Sequence, residues 1–146
     1  MAGWNESIIE EFRGNGGQVG GNFAGAPLLL LHSVGARSGQ QRVSPMMYLA
    51  DGERFLVFAS NAGKPANPDW YFNLTANPAA TVEVGTRTVE VQAAELRGEE
   101  RDRTYAEQAS RYPGFATYQE NTDRIIPVFA LTPVGARPDE RETVIR

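Results

Sequence analysis

LLLLHSVGARSGQQRVSPMMYLADGERFLVFAS, Leu28 to Ser60, holds three apolar runs separated by two glycine-bearing turns. Four leucines in a row suit a strand buried on both faces, and the pattern predicts strands over 28–33, 42–50 and 54–60. Asp51-Gly52 reads as the tight turn between the second and third. The first and second are joined by a turn that holds Gly35 and Gly39 and is flanked by Arg37 and Arg42. Strands joined this closely must run antiparallel, because a parallel neighbour needs a long crossover.

Upstream, WNESIIEEFRGNGG predicts a short helix, with Asn5 as its cap, Trp4 and Ile9 at staple spacing and Gly14 as its stop. GNGGQVGGNFAGAP then lacks any period; it reads either as a linker or as backbone that must approach something closely. Downstream, NPDWYFNLTANP predicts a helix capped by Asn67, with Pro68 in its first turn and Asn77-Pro78 as its end. TVEVGTRTVEV alternates on either side of Gly85-Thr86, which predicts a hairpin. A helix over 98–112 places Tyr105, Ala109 and Tyr112 on one face and stops at Pro113. A short helix or ordered loop follows over 114–121. The last strand is expected over 125–132, with Pro127 marking an edge or bulge. This order lacks the regular strand–helix alternation of a doubly wound sheet. The expected class is mainly β within an α+β chain: a small antiparallel barrel with helices packed outside. One domain over 1–133 and a mobile tail over 134–146 complete the organisation.

The chain has 146 residues and no cysteine, so disulfides, thiolate metal sites and cysteine nucleophiles are excluded. His32 is the lone histidine, too few for a histidine metal cluster, and its apolar strand predicts a packed core side chain. No metal is expected. A net charge of −4 argues against nucleic acid as a partner. Within that acidic chain, residues 34–64 carry Arg37, Arg42, Arg54 and Lys64 against Asp51 and Glu53, a local excess that suits a small polyanion. The N-terminal stretch lacks a signal-like apolar core, and no apolar run is long enough to span a membrane. A cytoplasmic protein is expected, with an amphipathic first helix able to touch a membrane surface.

The turn at Gly35 is neither a P-loop, which needs a following lysine and helix, nor a dinucleotide fingerprint, which needs a helix N-terminus. Two readings remain. It is a hairpin turn with solvated arginines, or a cradle in which turned amides, the Ser38 hydroxyl and the guanidinium groups of Arg37 and Arg42 hold an anion.

GARSGQQRVSPMMYL, ASNAGKPANPDWYFNLTANP and TDRIIPVFALTP together resemble the deazaflavin (F-420)-dependent nitroreductase and quinone reductase family of actinobacteria, over 4–133. That resemblance implies a split β-barrel like those of the FMN-binding oxidoreductases. It implies an enzyme using the reduced coenzyme F-420, a deazaflavin with a phosphodiester and a polyglutamate tail. Hydride would pass to an electron-poor, hydrophobic acceptor: an enone, an unsaturated lactone, a quinone or a nitro compound. Arg37, Ser38, Gly39 and Arg42 match positions that hold the anionic chain, and Pro45 falls in the same block. Ser60, Asn61, Ala62 and Gly63 match the loop beside the ring system. Asn61 replaces a basic residue found in some relatives, and Lys64 stands close enough in sequence to compensate. Asn67, Pro68, Trp70 and Tyr71 match a block beside the coenzyme, although Trp70 reads equally well as core. Tyr112, Phe115 and Tyr118 match the acceptor-pocket wall, with Phe115 where nitroimidazole-reducing members carry tyrosine. Ser60 is the expected hydrogen-bond donor to the acceptor or coenzyme, unless its hydroxyl serves a turn. Tyr112, Tyr118 or water supplies the proton. Arg124 is expected to pair with Asp123. FMN on the same barrel, or a non-enzymatic protein binding the coenzyme or a lipophilic ligand, are the alternatives. The resemblance leaves monomer and dimer open.

Overall fold

The computed structural model describes residues 2–18 and 27–134. Its strands are β1 (Leu28–Val34), β2 (Gln41–Met47), β3 (Leu49–Asp51), β4 (Arg54–Phe58), β5 (Ala79–Val84), β6 (Arg87–Leu96) and β7 (Val128–Pro133). Its helices are α1 (Ala2–Gly14), α2 (Asp69–Ala76), α3 (Gly98–Arg111) and α4 (Gly114–Glu120), with a 3-10 turn at Asn61–Gly63. All seven strands form one sheet in the order β2-β1-β5-β6-β7-β4-β3. Every neighbouring pair is antiparallel.

The two ends of that order are one piece of chain. β2 pairs with β1 through Leu28↔Met47, and β3 pairs with β4 through Leu49↔Leu56, with only Tyr48 between them. The expected single strand over 42–50 is therefore a strand that changes partners at Tyr48 and curls the sheet into a barrel. The closure is incomplete. Tyr48 N–H donates to the Pro27 carbonyl and Gly35 N–H to the Gln40 carbonyl, so even-numbered residues of β2 point their backbone groups at β1. Val43, Pro45 and Met47 point theirs the other way. Extending the β3–β4 register would set Pro45 opposite Ser60, but Pro45 has no N–H to offer and β4 has ended at Phe58. The barrel is split there.

Alternation along the strands makes three cores. Leu29, Leu31, Phe55, Val57, Val82, Val91, Phe129 and Leu131 fill the barrel, whose end is closed by Trp70 and Leu74 of α2. Leu28 and Leu30 face outward and are covered by Phe12, with Ile8 and Ile9, from α1. This is why four consecutive leucines suit β1: both faces are buried. Leu56, Phe58, Val128 and Ala130 form the third core under Tyr105 of α3 and Phe115 of α4.

Several boundaries differ from expectation. α1 begins at Ala2, so Asn5 lies inside the helix and does not cap it; the Trp4 side chain, and its staple to Ile9, lies outside the described residues. Among the described side chains of α1, Ile8, Ile9 and Phe12 pack against the barrel, and nothing in the structure supports the expected membrane contact. No helix among the described residues is long and apolar enough to cross a membrane. The β3–β4 turn is Gly52-Glu53, between the partners Asp51 and Arg54. β7 starts after Pro127 and lies between β6 and β4, so that proline ends a loop and marks no edge. His32, expected as a packed core side chain, is only partly buried and has polar partners: its Nε2 lies 2.6 Å from Glu83 Oε2, and Gln41 Nε2 lies 3.1 Å from its Nδ1. Val134 N–H donates to the Glu90 carbonyl at 2.9 Å, which carries the pairing one residue past Pro133. The expected mobility of the tail, and most of the glycine-rich connector, fall outside the described residues.

Candidate functional site

α2 organises the region, because it is joined to two loops. The first is the turn between β1 and β2. Asn73, buried on α2, accepts the Ala36 N–H at 2.9 Å through Oδ1 and donates to Ser33 Oγ at 3.2 Å through Nδ2. The Gly35 and Gly39 amides close the turn on itself, and the Gln40 amide donates to Ser38 Oγ. A side chain at Gly35 would run into that hydroxyl, since a Cβ there would lie 2.6 Å from Ser38 Oγ. Most of the turn's amides are thus used internally, which leaves Arg37 and Ser38 to offer free donors. Arg42 stands opposite Ser33 in the β1–β2 register and so shares its face, toward the barrel end that α2 closes.

The second loop runs from Ala59 to Asn67. Asn61 holds a left-handed φ of 49°, and its Nδ2 donates to the Ala66 carbonyl at 2.9 Å. Gly63 has φ +79°, and a Cβ on it would lie 3.1 Å from both the Cα and the carbonyl oxygen of Tyr118. A side chain there would be strained by the positive φ and crowded against the α4 backbone, which favours glycine. Arg124 binds the loop from inside: Nη1 donates to the Ala59 carbonyl (3.2 Å) and Asn67 Oδ1 (2.5 Å), Nη2 to the Ser60 carbonyl (2.8 Å) and Nε to the Lys64 carbonyl (3.1 Å). It makes no ion pair with Asp123, because these four acceptors take its fork. Asn67 correspondingly does not cap α2, whose first turn has no side-chain cap; its oxygen is held by Arg124. The Ser60 carbonyl also takes the Gly63 N–H, while its hydroxyl has no partner among the described residues. The turn therefore uses the Ser60 backbone and leaves the hydroxyl free to donate.

The aromatic residues divide. Trp70 is 9% exposed, with its ring edge-on to Phe129 at 6.0 Å, so its place is the barrel core. Tyr71 is half-buried and packs edge-on against Phe129 and Phe72. Phe115 is also 9% exposed, clasped by Phe58, Tyr105 and Tyr118. Tyr105 donates its hydroxyl to the Phe115 carbonyl at 2.6 Å, and burial pushes its pKa up to about 12. The hydroxyls of Tyr112 and Tyr118, both half-buried, take no partner among the described residues. Phe115 thus stands one layer behind the surface that Tyr112 and Tyr118 present.

Arg124 and Asn73 were not singled out as site-building residues by sequence. The available signal for Asn73 was an amide on the apolar face of a short helix, three residues after Trp70. For Arg124 it was an arginine just before an apolar run. A surface cavity of about 270 Å³, lined by His32, Gln41, Thr81, Glu90 and Gln92 among others, involves none of the candidate residues.

The donor set fits a phosphorylated, carboxylate-bearing coenzyme. Arg13, Arg54, Arg97, Arg101, Arg103 and Arg111 are engaged by carboxylates. Arg37, Arg42, Lys64 and Arg87 are not, among the described residues; Arg37 and Lys64 sit on the two loops that α2 joins, Arg42 on β2 beside the first of them, and Arg87 apart at the start of β6. The sequence matches the family model described as F420H(2)-dependent quinone reductase over residues 4–133. An F420H(2)-dependent quinone reductase of Mycobacterium tuberculosis is 38% identical over 128 residues, covering 83% of this chain and 84% of that protein. A solved F420-H2 dependent reductase (FDR-A) superposes with a TM-score of 0.66 at 40% identity, over 72% of this chain and 93% of that one. Another solved chain, described as a domain-swapped dimer, gives 0.68 at 36% identity over 86% and 92%. By sequence and by architecture, this chain belongs to the F420H(2)-dependent quinone reductase family.

Proposed function

We propose that this protein reduces quinones and related flat, conjugated acceptors with hydride drawn from the reduced deazaflavin coenzyme. The observation that carries the reading is three cations without a carboxylate partner, Arg37 and Lys64 on the two loops and Arg42 beside the first, with both loops braced by side-chain hydrogen bonds from Asn73 and Arg124. When bound, the coenzyme supplies the hydride. The protein's part is to hold and orient. Arg37, Arg42, Ser38 and Gly39 hold the anionic tail, with Lys64 in place of a base at Asn61. Pro45, at the split, and the Ser60–Gly63 loop, with Ala62, flank the ring system, and Asn67, Pro68 and Tyr71 shape the side formed by α2. Trp70 supports that side from the core. The free Ser60 hydroxyl donates to the oxygen that gains charge. Tyr112 and Tyr118 are the side chains placed to give a proton, with Phe115 keeping the wall behind them apolar.

Anaerobic titration with coenzyme F-420 and, separately, with FMN tests the cofactor, and oxidation of the reduced coenzyme by a soluble naphthoquinone tests the reaction. Binding of the deazaflavin alone and quinone-dependent turnover are expected. Tight FMN binding without deazaflavin binding would overturn the reading; deazaflavin binding with no turnover on any quinone or enone would make the chain a coenzyme carrier. Arg42→Ala should weaken coenzyme binding roughly ten- to a hundredfold, the loss of one charge-assisted contact. Added salt should weaken wild-type binding for the same reason.

A further inference from the structure

We infer that Arg124 is the positioning residue that locks the coenzyme loop to the acceptor-facing helix α4, so that one guanidinium sets the distance between the two reactants. This rests on the functional reading above. All three side-chain nitrogens are used, and their acceptors fall at both ends of one loop: Ala59 and Ser60 where β4 ends, Lys64 past the 3-10 turn, and Asn67 at the approach to α2. A planar fork can serve acceptors spread this way; an ammonium group cannot match it.

The other end of Arg124 is fixed to α4. Gln119 Nε2 donates to the Arg124 carbonyl at 2.7 Å, and Gln119 Oε1 accepts the Ile126 N–H at 3.1 Å. The same loop touches α4 directly at Gly63, which lies against the Tyr118 backbone. Loop and helix are therefore pinned at two points. One is a contact that favours glycine, and the other is a hydrogen-bonded clasp. Ser60 and Lys64 stand on the loop side, Tyr118 on the helix side. A shift of the loop by about 1 Å would move Ser60 relative to Tyr118, a displacement that commonly costs on the order of a hundredfold in rate.

The test compares Arg124→Gln, Arg124→Lys and Arg101→Gln. Arg101 ties α3 to Gln119 and to the Ile126 carbonyl but makes no bond to the loop, so its loss reports general weakening of that corner. In coenzyme-free protein, amide hydrogen exchange over 59–64 should quicken at least about tenfold in both Arg124 variants and stay near wild type in Arg101→Gln. With reduced coenzyme and quinone, well below each variant's melting temperature, kcat should fall roughly 10- to 100-fold in both Arg124 variants. The acceptor KM should move little, and lysine should restore less than a third of the loss although it restores the charge. Exchange over 59–64 unchanged in Arg124→Gln would overturn the inference, as would wild-type kcat in that variant or full rescue by lysine. The exchange measurement needs no coenzyme, so it stands even if wild-type protein fails to bind the deazaflavin, a result that would sink the functional reading instead.

Discussion

Gln108 is fully buried on α3, and neither its Oε1 nor its Nε2 has a hydrogen-bond partner among the described residues. A buried amide left without partners costs about 1–3 kcal/mol, whereas an apolar side chain of the same shape does not carry that penalty. Gln108→Met should therefore raise the melting temperature, and a drop would mean that the amide is satisfied by internal water. Ser60 gives the opposite contrast. Its hydroxyl contributes nothing to the turn, so Ser60→Ala should leave thermal stability within about 0.5 kcal/mol. Turnover should fall by up to about 2.7–4 kcal/mol of transition-state stabilisation, the range for one preorganised donor. Normal turnover with a lower melting point would make Ser60 a folding residue. Phe115→Tyr adds a hydroxyl among Phe58, Tyr105 and Tyr118. It should destabilise the third core more than it alters quinone turnover; a gain on a bicyclic nitroimidazole without loss of stability would show that position 115 reaches the acceptor directly. The arginines of the first loop stood out in the chain by residue type and spacing, which left a solvated turn and an anion cradle both open; the family resemblance is what favoured the cradle. Arg124 did not stand out, because its acceptors are backbone carbonyls and one amide some sixty residues away, and nothing local announces them.

Among the elements, α1 depends most on one charged contact. Arg13 donates to Glu83 through Nε at 3.0 Å and Nη2 at 2.6 Å, which ties the end of α1 to β5. The hydrogen bond from Arg13, opposed by burial and reinforced by a smaller contribution from the His32 hydrogen bond, holds the Glu83 carboxyl at about 2, well below its ordinary 4.5. A depressed carboxyl pKa means that the contribution is complete above pH 4.5 and is lost as the pH falls from 4.5 to about 2. Because Arg13 is half-exposed and solvent screens the pair, the contribution is at most about 1 kcal/mol. Glu83→Gln should flatten the acid limb of a stability–pH curve over that window, and an unchanged limb would remove the tether from the account. Element boundaries were read well where punctuation is local, as at Gly85 and Pro113. They were misread at Asn5 and Asn67, two asparagines of capping type. The helix of the first begins upstream, and the side chain of the second is claimed by a distant arginine.

At the scale of the molecule, an antiparallel barrel with outer helices followed from hairpin spacing and from the lack of regular strand–helix alternation. The strand order did not. β4 meets β7 at Phe55↔Leu131, and β1 meets β5 at Leu31↔Val82, pairings that no local pattern encodes. Nor could the change of partner at Tyr48 be seen, because the apolar pattern runs through it without a break.

The proline beside the split bears on whether a further strand can add to that edge. A strand edge with unsatisfied amides is a template for a strand from another molecule, and proline is one of the residues that blunt it. Val43 and Met47 turn their backbone groups outward on β2, and Pro45 sits between them without a donor. Pro45→Thr would restore a continuous row of hydrogen-bonding groups in a residue suited to strands. The variant should form dimers or larger species at concentrations where the wild type does not, as read by light scattering, and the added association should be abolished by Val43→Pro in the same chain. Equal scattering from Pro45→Thr and wild type would mean that the edge is shielded by something other than its proline.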